Sequence, residues 1–228
     1  VLFRSPLCHM RSISSLSALR PGGMAIWAGL FFVLLATPGS SFADSIRYTA
    51  GGGSRLVLNG DSTLHKYACV AQQIKAEGEL KINSKKRDVE AIRTAVIEGK
   101  MSAWTVRIPV AGLKSEHSGL DENLQKAMRA DQFPEVTFKM TSYKTDAAGP
   151  DNALAIKAQG VLTVAGKSRN VSINGLMTIT ENGFTLSGKK GLLMSEYSVE
   201  PPVLFMGTVK TDDKVEIQFN LNMLSNQK

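Results

Sequence analysis

The chain has 228 residues, 43% of them hydrophobic, and a formal net charge of +7. Length and composition fit one domain with a sizeable core once an N-terminal segment is set aside. The cations are spread along the chain, with no basic stripe carrying interleaved aromatics, so a nucleic-acid partner is excluded.

The N-terminal segment reads as an export signal. Met10 is the expected start, Arg11 and Arg20 supply a positive region, and Ala25 to Ala36 is a short apolar run. Ser41-Phe42-Ala43 places small residues where a signal peptidase reads them, so cleavage is expected after Ala43. The run falls short of the about 20 apolar residues that a spanning helix needs, so no transmembrane anchor is expected after cleavage. Residues 1–43 are assigned to an extension and signal peptide, 44–53 to a flexible lead-in ending in Gly51-Gly52-Gly53, and 54–228 to the folded domain. Cleavage removes three arginines and no acid, which lowers the formal charge from +7 to +4. It also removes Cys8, so Cys69 has no intramolecular disulfide partner and is expected as a buried core thiol.

The folded part is mostly β in pattern. Arg55 to Asn59 points Leu56 and Leu58 inward, Ser62 to Tyr67 makes a turn, and Cys69 to Ile82 alternates as one strand. Asn83 to Asp88 is an exposed basic loop, and Ala91 to Ile97 is a weaker strand candidate. Met101 to Val110 alternates Trp104, Val106, Ile108 and Val110 against Thr105, Arg107 and Pro109, with Pro109 suited to a strand end. The only amphipathic helix is expected within Leu113 to Phe138. Ser118 and Asp121 sit at capping-box spacing, and Leu120, Leu124, Ala127 and Met128 recur on one face. Lys126 and Arg129 lie late in it, and Phe133 before Pro134 ends it. Such a helix would plug or flank a barrel.

Glu135 to Tyr143 is the next strand, with Val136, Phe138 and Met140 on one face. Asp146 to Asn152 is a loop by composition. Ala153 to Val164 and Asn170 to Thr180 flank a turn at Ala165 to Ser168, and Glu181-Asn182-Gly183 makes a hairpin into Phe184 to Leu193. Pro201-Pro202 opens a long loop and Asp212-Asp213 a last turn. Val215, Ile217, Phe219, Leu221 and Met223 then alternate with Glu216, Gln218, Asn220 and Asn222. Long hairpin-linked strands with one apolar face each argue for an antiparallel sheet. About eight of them close into a barrel, and a β-sandwich is the alternative that periodicity does not separate.

No nucleophile elbow, H-E-x-x-H or C-x-x-C motif is present, so no catalytic residue is assigned. Gly166-Lys167-Ser168 matches the end of a phosphate loop, but Val161 stands where its first glycine belongs, and the stretch reads as a turn. His65 and Cys69 lie four apart in a strand-like stretch with no third ligand nearby in sequence, so no metal and no cofactor is assigned. Seven methionines follow residue 43 and suit either a greasy ligand cavity or ordinary core.

Ser62-Thr63-Leu64-His65, followed by Tyr67 and Cys69, resembles the S-T-L-H-x-W-x-C signature of one branch of the YceI-like family. Leu113-Lys114-Ser115, Leu120-Asp121 and Phe133-Pro134-Glu135-Val136-Thr137-Phe138 resemble that family's helix and the strand after it. Gly160 to Val171 resembles its G-x-L-T-I-x-G-x-T-K-x-V hairpin. Two positions depart, with Lys66 where an acid is common and Tyr67 where tryptophan is common. The resemblance implies an all-β fold, an extended lipocalin-like antiparallel β-barrel with one short helix between strands. It also implies export to the periplasm and a binding function for an isoprenoid or fatty amphiphile.

On that reading inward apolar residues grip the tail. The candidates are Leu58, Trp104, Val106, Ile108, Phe138 and Met140 on the earlier strands, and Leu162, Met177, Phe184, Leu186, Phe219 and Leu221 on the later ones. His65, Tyr67 and Lys114 are the candidates to meet a polar head. A non-enzymatic interaction module with a filled core is the alternative, with Val203-Leu204-Phe205-Met206 as its docking patch, although a loop tucked over the barrel mouth is the preferred reading of that stretch. An enzyme using His65 is the weakest reading. A homodimer is kept open as an assembly state.

Overall fold

The computed structural model describes residues 44–83, 87–148, 152–204 and 209–226. Apolar and polar residues alternate along most strands, which is what a wall with a greasy inside and a wet outside requires. The strands make eight antiparallel staves, three of them broken in two. β1 (Asp44–Ala50) and β2 (Arg55–Ser62) lie end to end along β12 (Val209–Ser225), with Ala50 opposite Met223 and Arg55 opposite Asn220. β3 (Tyr67–Ala71) returns beside β2, and β4 (Lys75–Ile82) beside β1. β5 (Met101–Pro109) pairs with β4, and the short β6 (Leu113–Lys114) pairs with β3. β7 (Glu135–Ala147), β8 (Ala153–Val164), β9 (Lys167–Thr180) and β10 (Gly183–Leu193) follow as a meander. β10 pairs with β12 and β12 meets β1, so the ring closes. β11 (Val203–Leu204) pairs with the start of β12. Closure removes the open edges that a sandwich would keep, and the fold is a lipocalin-like barrel.

Several expectations need correction. Residues Asp44 to Ala50 are not a flexible lead-in but a wall strand, with Ile46 and Tyr48 buried. The strand expected from Cys69 to Ile82 breaks at residues 72–74, where one stave turns from β3 into β4. Asp212-Asp213 is no turn. The pair lies inside β12, at an irregularity in its pairing with β2 between Thr211 and Val215. The signal segment, the centre of the basic loop, Gly149 to Asp151, and Phe205-Met206 of the docking patch lie outside the described residues.

Among the described residues there are two α-helices where one was expected. α1 (Val89–Ile97) occupies the weak strand candidate. Asp88 caps it by accepting from the Ala91 N–H at 2.9 Å. Val89, Ile92 and Val96 then recur at helical spacing, and Ile92, Ala95 and Val96 are buried. The Tyr143 hydroxyl donates to the Val96 carbonyl at 2.7 Å and ties the helix end to β7. α2 (Ser118–Ala127) is the expected helix, but its capping differs. His117 is the N-cap and makes no side-chain cap bond. Asp121 instead reaches back to Ser115, accepting from its N–H at 2.7 Å and its hydroxyl at 2.8 Å.

The interior separates into two apolar clusters. α1 closes one end, over Tyr48, Trp104 and Phe184, whose ring centroids lie 5.1 to 6.2 Å apart. Gly78 on β4 leaves the space that the Trp104 indole fills, since a Cβ there would overlap the ring. The second cluster gathers Cys69, Ile108, Val110, Leu162, Leu192 and Tyr197, with α2 packed against it through Leu120, Leu124 and Met128.

Candidate functional site

Between these clusters the barrel keeps an open cavity of about 210 Å³. The strand alternation builds it. On β12, Val215, Ile217, Phe219 and Leu221 all line it, so the period of two holds over four successive inward positions. β8 contributes Ile156, Ala158, Leu162 and Val164, and β7 contributes Val136 and Phe138. α2 lays Leu124 and Met128 along one side. Of the 27 lining residues among those described, only Lys190 is charged, and only Tyr67 and Tyr197 add hydroxyls. Such a surface binds apolar tails through area removed from water and offers few polar groups for orientation.

Nine of the fifteen candidate residues line the cavity. They are Leu58, Tyr67, Val106 and Ile108, then Phe138 and Leu162, and finally Leu186, Phe219 and Leu221. Burial pushes the Tyr67 hydroxyl up to about 12, with nearby Cys69, Asp212 and Asp61 adding to the effect, so it stays a neutral donor. Trp104, Met177 and Phe184 do not line the cavity. They are buried in the cluster under α1, where aromatic packing fills the barrel end. Met140 is partly buried against that same cluster.

The two other head-group candidates also stand elsewhere. His65 is exposed in the turn between β2 and β3. Ser62 builds that turn, its hydroxyl donating to the His65 carbonyl at 2.8 Å and accepting from the Leu64 and His65 N–H groups. The Ser-Thr-Leu-His stretch therefore serves the turn. Lys114 is exposed on β6, its ammonium 3.6 Å from the Asp121 carboxylate.

Two polar lining residues escaped the sequence reading. Lys190 shares the β10 face with Phe184, Leu186 and Leu192, so alternation alone places it inward. Tyr197 lies in a short 3-10 turn after β10, Ser195–Tyr197, which no periodicity marks. Asp213 holds that turn by accepting from the Ser195 N–H at 2.7 Å and the Ser195 hydroxyl at 2.6 Å. These two bonds also hold the Asp213 carboxyl below the usual carboxylate range.

A closed eight-stave antiparallel barrel around an apolar cavity, with one helix sealing an end and another along the side, defines a lipocalin-like barrel protein. Residues 73–223 match the YceI-like domain, and the chain belongs to the YceI-like family. No curated protein matches the sequence. Among solved structures it is similar to BcnA of Burkholderia cenocepacia, with a TM-score of 0.53 and 18% identity over 75% of this chain and 95% of that one. It is also similar to a polyisoprenoid-binding domain from Saccharophagus degradans, with a TM-score of 0.56 and 9% identity over 78% of this chain and 98% of that one. At these identities the likeness is one of fold.

Proposed function

We propose that this protein is a non-enzymatic carrier that holds the tail of an isoprenoid or other amphiphilic lipid inside the barrel. The observation that carries the reading is the cavity wall, in which one charge and two hydroxyls stand among the 27 described lining residues. A filled-core interaction module would have no reason to keep about 210 Å³ of apolar space open. The polyisoprenoid-binding domain of Saccharophagus degradans shares this fold, which supports an isoprenoid tail as one cargo class. Export to the periplasm with cleavage after Ala43 completes the reading, and N-terminal sequencing of the protein from its native compartment checks it.

Native mass spectrometry of the protein purified from its own cells, followed by lipid extraction, tests the carrier. A co-purifying isoprenoid or fatty species is expected at one equivalent. A clean apo mass, with no uptake of added lipid, would sink the carrier reading.

A further inference from the structure

The barrel wall is split beside the cavity. β9 and β10 pair from the Thr180–Gly183 end as far as Asn174 and Lys189, and there their register stops. Beyond that point β9 continues to pair with β8 down to Lys167, and β10 continues with β12 up to Leu193. Residues 167–173 and 190–193 therefore face each other across a groove with no ladder between them. Lys190, Leu192, Leu193 and Tyr197 line both this groove and the cavity, so the groove opens onto the apolar space.

The polar groups of the split are predominantly of one sign. Lys190, Arg169 and Lys214 line it against one acid, Glu196. Arg169 donates to the Glu196 backbone carbonyl at 3.0 Å, which leaves the rest of its guanidinium free to turn to the groove. Lys190 makes no ion pair or hydrogen bond among the described residues, although the alternation points it toward the cavity. Tyr197 is 2% exposed, and its hydroxyl has no hydrogen-bond partner among the described residues. The buried Tyr197 hydroxyl without a partner represents unmet polar demand, and the partly exposed Lys190 beside the same cavity offers a cation without a counter-ion. One anionic oxygen group meets both, through charge-assisted bonds from the ammonium and the phenol.

We infer that the split between β9 and β10 is the head-group site of this cavity, and that it selects amphiphiles whose head is an anionic oxygen group, a phosphate or a carboxylate. The inference rests on the carrier reading and adds where the head lies and what charge it bears. The tail would run inward past Leu186 and Phe219, and the head would sit at Lys190 and Tyr197, with Arg169 and Lys214 at the outer rim.

The test compares one tail with two heads. Farnesyl monophosphate, farnesol and inorganic phosphate are titrated into delipidated protein, its Lys190→Met variant and its Tyr197→Phe variant, with a thermal melt of each variant as the folding control. Farnesyl monophosphate is expected to bind about tenfold tighter than farnesol, as loss of a charge-assisted contact implies. Lys190→Met should remove that preference, and Tyr197→Phe should reduce it in the same direction. Equal binding of both lipids, unmoved by either substitution, overturns the head-group site and leaves the carrier standing. Binding of neither lipid overturns the carrier, and this inference with it. Inorganic phosphate binding as tightly as the phosphorylated lipid would overturn the amphiphile in favour of a free anion.

Discussion

Among the described residues, Asp121 is the one charged side chain that the fold buries. Burial alone would raise its pKa, but the Ser115 N–H and hydroxyl and the Lys114 ammonium outweigh that and hold the carboxyl below the usual range. The loop before α2 thus hangs on an ionised acid. A pKa lowered by folding contributes stability that is present above the unfolded value, about 3.9 for aspartate, and is lost as the pH falls through the folded value. Asp121→Asn is expected to lower the urea midpoint at neutral pH, and the gap from the parent should close as the solution is acidified. A gap of constant size down the whole titration would show that the carboxylate charge plays no part. Cys69 fits the same neighbourhood. Burial first, and Asp121 second, push its thiol up to about 11, so it remains a protonated core side chain in neutral solution.

Elements were legible where one kind of pattern ran long. The alternation of β12 was read as it stands, because five inward residues in a row leave no competing period. α2 was legible because its apolar spacing ends against Pro134. α1 looks like a strand in sequence because Ile92, Thr94, Val96 and Ile97 are β-branched and favour strands when taken one by one. The Asp88 cap and the spacing of Ile92 and Val96 were the signals against it. Lys190 is absent from the sequence-derived candidates, although its parity with Leu186 and Leu192 places it on the inward face of β10. Tyr197 lay beyond sequence reasoning, since its place depends on Asp213 holding the turn at Ser195, eighteen residues before it. The plug role of α1 is testable. Ile92 is 2% exposed in the cluster around Tyr48 and Trp104, so Ile92→Ala should cost about 2–5 kcal/mol by denaturant unfolding. It should leave lipid affinity of the folded protein unchanged, because Ile92 lines no part of the cavity. A loss below about 1 kcal/mol would make α1 a surface strap instead.

The whole barrel surrounds an apolar cavity, and a ligand bound there has a thermodynamic signature. At a hundredfold excess over its dissociation constant the ligand stabilises the fold by about 2.7 kcal/mol. For a domain of this size, each kcal/mol moves the melting temperature by about 2–4 °C, so a rise of about 5–10 °C is expected on loading. Ala158 is the place to separate cavity filling from surface adsorption, because it is a small lining residue on β8 facing open space. Ala158→Phe puts a ring where the tail would lie. Filling existing space avoids the overpacking cost of about 1–3 kcal/mol that a dense core would impose, so the delipidated variant should melt no lower than the parent. Its melting temperature should no longer respond to added lipid. If the variant still gains several degrees on loading, the lipid binds outside the barrel and the cavity is not the carrier site.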